Sequence, residues 1–255
     1  MRESDHQIGL HGLALLRASS VDGAARHREA IRALLSSADS TPRELPTVDP
    51  AGGYAAWAAS YDEPGNRTVA AEEPAVHALL SELPPGVAVD AGCGTGRHSA
   101  HLAALGHAVI GVDASPEMLL VARERVPEAD FRAGDLRALP VADATADLVV
   151  CALALSHLPD LGAVGELARV LKPAGALVLS SPHPFATAVL GARAWCRTAD
   201  GERVEIPEFA HPVGAYLDAF AVAGLTARRC LEPVYREQDG PVAGQPAAIV
   251  WEARK

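Results

Sequence analysis

Seven residues, Asp90-Ala91-Gly92-Cys93-Gly94-Thr95-Gly96, combine an acid with three glycines at alternate positions. Glycine lets a backbone take positive φ and pass close to a ligand. The N–H groups of a helix starting just after such a turn can hold an anion such as a carboxylate. Asp90 beside them repels a pyrophosphate but attracts an ammonium or a sulfonium. The spacing G-x-G-x-G also differs from the G-x-G-x-x-G of dinucleotide binders. Two more acids follow in order: Asp113 in "VIGVDAS", 17 residues beyond Gly96, and Asp135 in "AGDL". Asp113 is placed to accept from both hydroxyls of a ribose, and Asp135 from an adenine amine. A glycine turn alone is also an ordinary strand–helix junction. With the acids in this order, the ligand that carries all these groups is S-adenosylmethionine.

The surrounding elements must hold these residues at one edge of a sheet. From Gly86 onward strands and helices alternate. "VAVDAG", "HAVIGVDAS", "ADFRAGD", "ADLVVCALAL" and "GALVLSSP" read as strands, with helices at "TGRHSAHLAALG", "SPEMLLVARERV" and "LGAVGELARVL" between most of them. Gly106 is the expected C-cap of the first helix. Ser115 and Pro116 are the expected N-cap and first position of the second. The apolar run of the fourth strand fits burial on both faces. Alternation of this kind predicts a parallel sheet between two helical layers. The tail changes to helix "GAYLDAFAVAG", strand "LTARRCLEPVY" and strand "AAIVWEARK", an antiparallel hairpin at the sheet edge. Upstream, "DGAARHREAIRALLSSA" predicts a helix with Asp22 as N-cap, "STPRELPTVDPAGG" a linker, and "YAAWAASYDEPGN" a short aromatic helix and turn. The next helix, around "TVAAEEPAVHALLSEL", is expected to carry Pro74 near its first turns.

These motifs resemble those of class I S-adenosylmethionine-dependent methyltransferases of the broad small-molecule type. "VDAGCGTGRH" is similar to the family's first motif and "VIGVDASPEML" to its second. "FRAGDLRALPVADATADLVVCALALSHLPD" is similar to the third and fourth, and "ARVLKPAGALVLS" to the strand-five motif. The likeness covers residues 54–255. It implies an α/β, Rossmann-like three-layer sandwich with a seven-stranded sheet, six strands parallel and one antiparallel at the edge hairpin. A helical annex and linker (1–50) would precede the methyltransferase domain (51–255). Within that domain, 51–82 would form a lid segment and 182–211 an insert covering the substrate. The likeness places Asp90, Gly92, Gly94 and Gly96 by the methionine part, and Asp113 with Ala114 at the ribose. Asp135 and Leu136 would meet the adenine, Ala152 to Ser156 the sulfonium, and Tyr61 the cofactor carboxylate.

Methyl transfer is an in-line displacement, so the protein mainly aligns nucleophile, carbon and sulfur. A hydroxyl of high pKa also needs a base. Three histidines are candidates for that base: His183, between two prolines after the fifth strand; His211, opening the helix before the hairpin; and His157, after the fourth strand. Each has a structural alternative: a turn residue, a helix cap, and a strand–helix closure. His98 and His101 read as surface or packing residues, and no cluster resembles a magnesium site, so no metal is expected. Phe185, Trp195 and Phe209 give the insert an aromatic content that suits an apolar or planar acceptor. O-methylation of a small molecule is the favoured reading. An amine N-methyltransferase is the enzymic alternative, and a cofactor-binding protein of the same fold that does not methylate, pericyclase-like or regulatory, is the non-methylating one.

The whole chain narrows the partners. Its 255 residues are 49% hydrophobic, enough for a sizeable core, and carry a formal net charge of -10. With no basic patch, nucleic acid is not an expected partner. The longest clearly apolar run, "LVVCALAL", is far too short to span a bilayer, and the charged start has no signal-peptide core. Cys93, Cys151, Cys196 and Cys230 form no Cys-x-x-Cys pair, which fits a reduced, cytoplasmic protein. Packing of the annex on a partner subunit leaves a homodimer open.

Overall fold

The computed structural model describes residues 2–37, 41, 44–198 and 200–255. Two helices, α1 (Glu3–Arg17) and α2 (Val21–Ser36), form an N-terminal hairpin. The α2 cap is Ser20 rather than Asp22: its hydroxyl accepts from the Gly23 N–H at 3.0 Å, which places Asp22 inside the first turn, where a negative charge meets the positive end of the helix. Helix α1 was not foreseen. Most of the surface of this hairpin is wet, with Leu16, Val21 and Leu35 exposed. Leu10 is buried instead in a cluster with Ala71, Leu190, Tyr235 and Val242.

The segment expected as a lid contains α3 (Pro50–Trp57), a helical turn (Ala58–Ser60) and α4 (Arg67–Ser81). Asp49 and Asn66 cap the two helices through Gly52 and Val69 N–H groups. Pro74 lies in the interior of α4, not in its first turns. A proline there cannot donate to the carbonyl four residues earlier. That carbonyl, of Ala70, accepts instead from the Arg236 guanidinium.

The sheet then builds in alternation: β1 (Val87–Ala91), α5 (Arg97–Ala104), β2 (Ala108–Asp113), α6 (Pro116–Arg125), β3 (Asp130–Ala133), β4 (Ala146–Ala152), α7 (Ala163–Val170) and β5 (Leu171–Pro182). The insert holds α8 (Pro184–Ala188) and a two-stranded antiparallel ribbon, β6 (Ala194–Arg197) with β7 (Arg203–Ile206). Helix α9 (Val213–Val222), β8 (Thr226–Leu231) and β9 (Ala248–Arg254) complete the fold. The seven-stranded order is β3-β2-β1-β4-β5-β9-β8. β9 runs antiparallel to both β5 and β8. The hairpin thus lies at the edge as expected, with the reversed strand one place inside it.

Side chains alternate across the sheet as strand geometry demands. Val89, Val149, Leu177 and Leu179 face one layer with Val164, Leu167, Tyr216 and Phe220 of α7 and α9. Ala88, Leu148, Val150 and Val178 face the other, with Val76, Leu79 and Leu80 of α4 and Leu102 of α5. Each fully buried leucine contributes about 1.5–3 kcal/mol relative to exposure. Ser115 caps α6 through the Met118 N–H at 3.2 Å, with Pro116 at the first position. Among the described residues no helix is long and apolar enough to cross a membrane.

Candidate active site

The glycine turn is built by conformation and then stapled. Gly92, Gly94 and Gly96 have φ of +74, +52 and +79°. A Cβ on Gly92 would sit 2.8 Å from the Ala154 Cβ, so only glycine allows the turn to lie against the end of β4. A Cβ on Gly94 would meet open space, the room a ligand needs. Asp113 holds this turn from the next strand. One of its oxygens accepts from the Gly94 N–H and the other from the Ser115 N–H, both at 2.8 Å. Burial nevertheless raises its pKa, against those hydrogen bonds. Ala114 beside it is exposed.

Asp90 is 1% exposed and accepts from the Ser99 hydroxyl at 2.7 Å, which ties β1 to α5. Burial raises its pKa too. Asp135, after β3, is forked by the Arg137 guanidinium at 2.6 and 2.9 Å, and that partner lowers its pKa to about 2. Leu136 approaches the same face of Gly92. Ala152 ends β4, half-buried.

Glu72 of α4 was not singled out by sequence, yet it is fully buried behind the turn. It accepts from Arg97 at 3.1 Å and from the Ser180 hydroxyl at 2.7 Å, and lies 3.3 Å from His98 Nε2. Burial opposes its charge, but His98, Arg97 and Ser180 outweigh that and bring its pKa to about 2. Among buried side-chain atoms, the Arg97 Nε has no hydrogen-bond partner. An unpaired guanidinium N–H one residue past Gly96 suits a ligand carboxylate. The open Gly94, this N–H and the Asp113 carboxylate together fit S-adenosylmethionine.

Beside the turn lies a cavity of about 500 Å³. Its walls come from α1, the lid, the insert and the β8–β9 loop, and include Tyr54, Tyr61, Trp195, Glu208 and Tyr235. Tyr54, Trp57 and Tyr61 form one aromatic cluster, with ring centroids 5.0–6.0 Å apart. Burial raises the Tyr61 phenol to about 12 and Tyr54 well above its usual value, and the Asp113 charge adds to both. Residues 54–62 therefore join the glycine turn to the cavity. Asp62, next to Tyr61, accepts from Thr95 of that turn at 3.1 Å and pairs with Arg125 of α6. Trp195 lines the cavity with Arg203 stacked 4.0 Å from its ring centroid. Phe185 packs elsewhere, with α1, and Phe209 is exposed.

None of the three sequence-predicted histidines lines the cavity. The His183 ring is committed on both sides: Nδ1 accepts from the Phe185 N–H at 3.1 Å and Nε2 meets Glu232 at 2.9 Å. The flanking prolines do fix it, but as the cap of α8. His211 points its Nε2–H at the Leu155 and Leu158 carbonyls, at 3.3 and 3.0 Å, bracing the turn after β4. His157 donates from Nδ1 to the Pro207 carbonyl and accepts at Nε2 from the Tyr54 hydroxyl, both at 2.7 Å. Burial lowers its pKa, which keeps the ring a neutral acceptor. His157 reaches the cavity wall through Tyr54.

The cavity instead contains a carboxylate that the sequence reading passed over. Glu208 accepts from the Ala194 N–H at 2.8 Å and the Ser156 hydroxyl at 3.4 Å. Burial pushes its pKa up to about 7. The only signal in the sequence is an acid set between Pro207 and Phe209 near the end of the insert.

Residues 89–179 match the model of a methyltransferase domain. A malonyl-[acyl-carrier protein] O-methyltransferase from Serratia marcescens is 34% identical over 60% of this chain and 56% of its own. A ubiquinone biosynthesis O-methyltransferase from Xanthomonas campestris is 39% identical over 43% of this chain and 50% of its own. The chain thus spans about half the length of the curated relatives it matches. A crystal structure of an S-adenosylmethionine-dependent methyltransferase from Mesorhizobium loti superposes with a TM-score of 0.59 and 25% identity, over 72% of this chain and 98% of that one. Over residues 89–179 the chain carries a methyltransferase domain, and its sheet order and fold are similar to those of S-adenosylmethionine-dependent methyltransferases.

Proposed function

We propose that the protein transfers a methyl group from S-adenosylmethionine to a small organic molecule, with oxygen as the favoured acceptor atom. The observation that carries this reading is the turn after β4. Ala154 packs on Gly92 of the glycine turn, while Leu153 lines the cavity. Cofactor turn and cavity therefore share one short segment, as direct transfer between two bound molecules requires. Leu153 takes φ of +55°, and its N–H is held by the Ser180 backbone and side chain at 3.0 and 3.2 Å.

In this reading Asp113 receives the ribose, Asp135 and Leu136 border the adenine, and Asp90 with the glycine turn surrounds the methionine part. Arg97 and Tyr61 take the carboxylate end. The bound cofactor would supply a methyl group on a positively charged sulfur, a leaving centre that needs no further activation. The chain's own task is alignment and exclusion of water, which the aromatic lid supports. The curated relatives above are O-methyltransferases, which agrees with oxygen as the acceptor. We place the protein in the cytoplasm: its four cysteines are unpaired, and Cys230 is exposed as a thiol.

Titration calorimetry against S-adenosylmethionine, S-adenosylhomocysteine and NAD tests the cofactor. Binding of the two sulfur compounds and not NAD is expected; the reverse pattern refutes the reading. Labelled methyl transfer into extracts of the host, followed by mass spectrometry, then tests the reaction.

A further inference from the structure

We infer that the acceptor is an uncharged hydroxyl compound and that Glu208 takes its proton. This rests on the methyl-transfer reading above and adds the acceptor class and the base. Residues 207–209 are strapped to the turn after β4 at three points. The His157 Nδ1–H donates to the Pro207 carbonyl, the Ser156 hydroxyl to Glu208, and the Phe209 N–H to the Ser156 carbonyl at 2.7 Å. The same turn touches Gly92 through Ala154 and enters the cavity through Leu153. Glu208 is thus fixed in the cavity wall, hydrogen-bonded to Ser156, two residues past the Ala154 that meets the glycine turn. A base held by backbone straps keeps its place without help from the acceptor.

The charges around it favour a neutral guest. Arginines and glutamates line the cavity in equal number. Of the four arginines, Arg193 meets the Thr187 and Ala192 carbonyls and Glu205, Arg67 the Asp239 carbonyl and the Tyr235 ring, and Arg197 the Gly201 carbonyl, while Arg203 stacks on Trp195 with its Nε unpartnered. A carboxylate acceptor would meet Glu208 as a like charge, and it needs no base. An ammonium would pair with Glu208 and stay protonated, without the electron pair that attack requires. A hydroxyl uses the carboxylate as a proton acceptor. Glu208 faces Arg193, Glu205, Tyr54 and Tyr235, with Glu3 and His6 of α1 in the same cavity wall.

In the step, the acceptor O–H bond breaks and its proton goes to Glu208. The oxygen pair forms the new O–CH₃ bond as the S–CH₃ bond breaks, and that bonding pair stays on sulfur. The products are a methyl ether, S-adenosylhomocysteine and neutral Glu208, which returns its proton to solvent when the cavity opens.

The test uses the full chain and three probe classes: phenols (4-ethylphenol, catechol, 2-naphthol), acids (hexanoate, benzoate) and an amine (benzylamine). Cofactor binding is measured first, by calorimetry; its failure removes the methyl-transfer reading rather than this one. Phenols should be the methylated class, with kcat/KM rising to a plateau through about pH 7. Glu208→Gln should lower kcat by about 10²–10⁴-fold and abolish that rise, with cofactor affinity unchanged. Glu208→Asp should keep the rise at a reduced rate, which excludes simple misfolding. If turnover is undetectable with every probe, binding is read instead, by quenching of Trp57 and Trp195 fluorescence with S-adenosylhomocysteine present. Phenols binding more tightly than acids, with a pH dependence that Glu208→Gln removes, would support the inference. Acids or the amine as the methylated or more tightly bound class would overturn it. So would full activity of Glu208→Gln, or no binding by any phenol.

Discussion

Replacing Glu72 by glutamine tests whether α4 and the glycine turn share one electrostatic joint. Glu72 has no exposed surface and is met by groups of two other elements: Arg97 and His98 of α5, and Ser180 of β5. Ser180 in turn receives the Leu153 N–H, so the joint reaches the turn after β4. Held at about 2 against an ordinary 4.5, the carboxylate favours the folded state. At about 1.4 kcal/mol for each pH unit, this amounts to about 3 kcal/mol. The sign follows from a lowered pKa: the contribution is full above pH 4.5 and fades as pH falls toward 2. Glu72→Gln should therefore unfold about 6–12 °C earlier at pH 7.5, taking about 2–4 °C per kcal/mol for a domain of this size. Thermal unfolding followed by circular dichroism reads this directly. Urea titrations between pH 5 and 3 should show the gap narrowing as the wild type loses its advantage. A melting temperature within about 2 °C of wild type at pH 7.5, or a gap that stays constant into acid, would refute the argument.

Asp113→Asn keeps the shape of the side chain but removes its charge; S-adenosylhomocysteine affinity should fall by about 1.5–3 kcal/mol in calorimetry, as expected for charge-assisted hydrogen bonds. Gly92→Ala forces a side chain into positive φ and against Ala154, so cofactor binding should be lost in the same assay while the circular dichroism spectrum keeps its helical content. Removal of residues 1–36 exposes the cluster around Tyr235 and opens the cavity wall that Glu3, His6 and Leu10 supply. The sheet should still fold, cofactor binding should survive, and acceptor binding should fail; acceptor affinity equal to the full chain would show that α1 is only ornament. In the range from pH 4.5 to 7 the raised pKa of Glu208 should cost stability as the carboxylate ionises. Wild type should then lose stability relative to Glu208→Gln as pH rises through that range, which paired urea titrations would detect.

Much of the sheet was legible because its signals are local. Ser115 and Pro116 mark a helix start within two residues, Gly106 marks a stop, and the apolar run of β4 reads as a buried strand. The three acids could be ordered along the chain because each lies at, or within two residues of, the end of a strand of the sheet. What the sequence hid was direction and distant partnership. His183 follows β5 and His211 precedes α9, but a sequence does not say which way a ring turns: His183 turns to the Phe185 N–H and Glu232, and His211 to two backbone carbonyls. Glu208 takes its two partners from 52 and 14 residues away. Helix α1 was missed because its few apolar residues gain their value from Tyr235 and Val242, far along the chain. Pro74 misled for a related reason: the carbonyl it strands is rescued by Arg236, 166 residues from Ala70.

The position of β9 between β5 and β8 bears on how the chain is made. On a ribosome, β1 to β5 emerge in order, and each parallel strand finds its neighbour among residues already present. β5 then waits with one edge unpaired while the insert, α9 and β8 are synthesised, because its partner there is a strand about 70 residues further on. β8 cannot dock either, since its only neighbour in the sheet is that same strand. For this interval the nascent chain presents residues 176–182, apolar over the first four, as an open template for any other strand. Slow translation through residues 183–247 would lengthen that exposure. A chaperone that shields the β5 edge would act in this window, before the cavity wall or α4 has its final support.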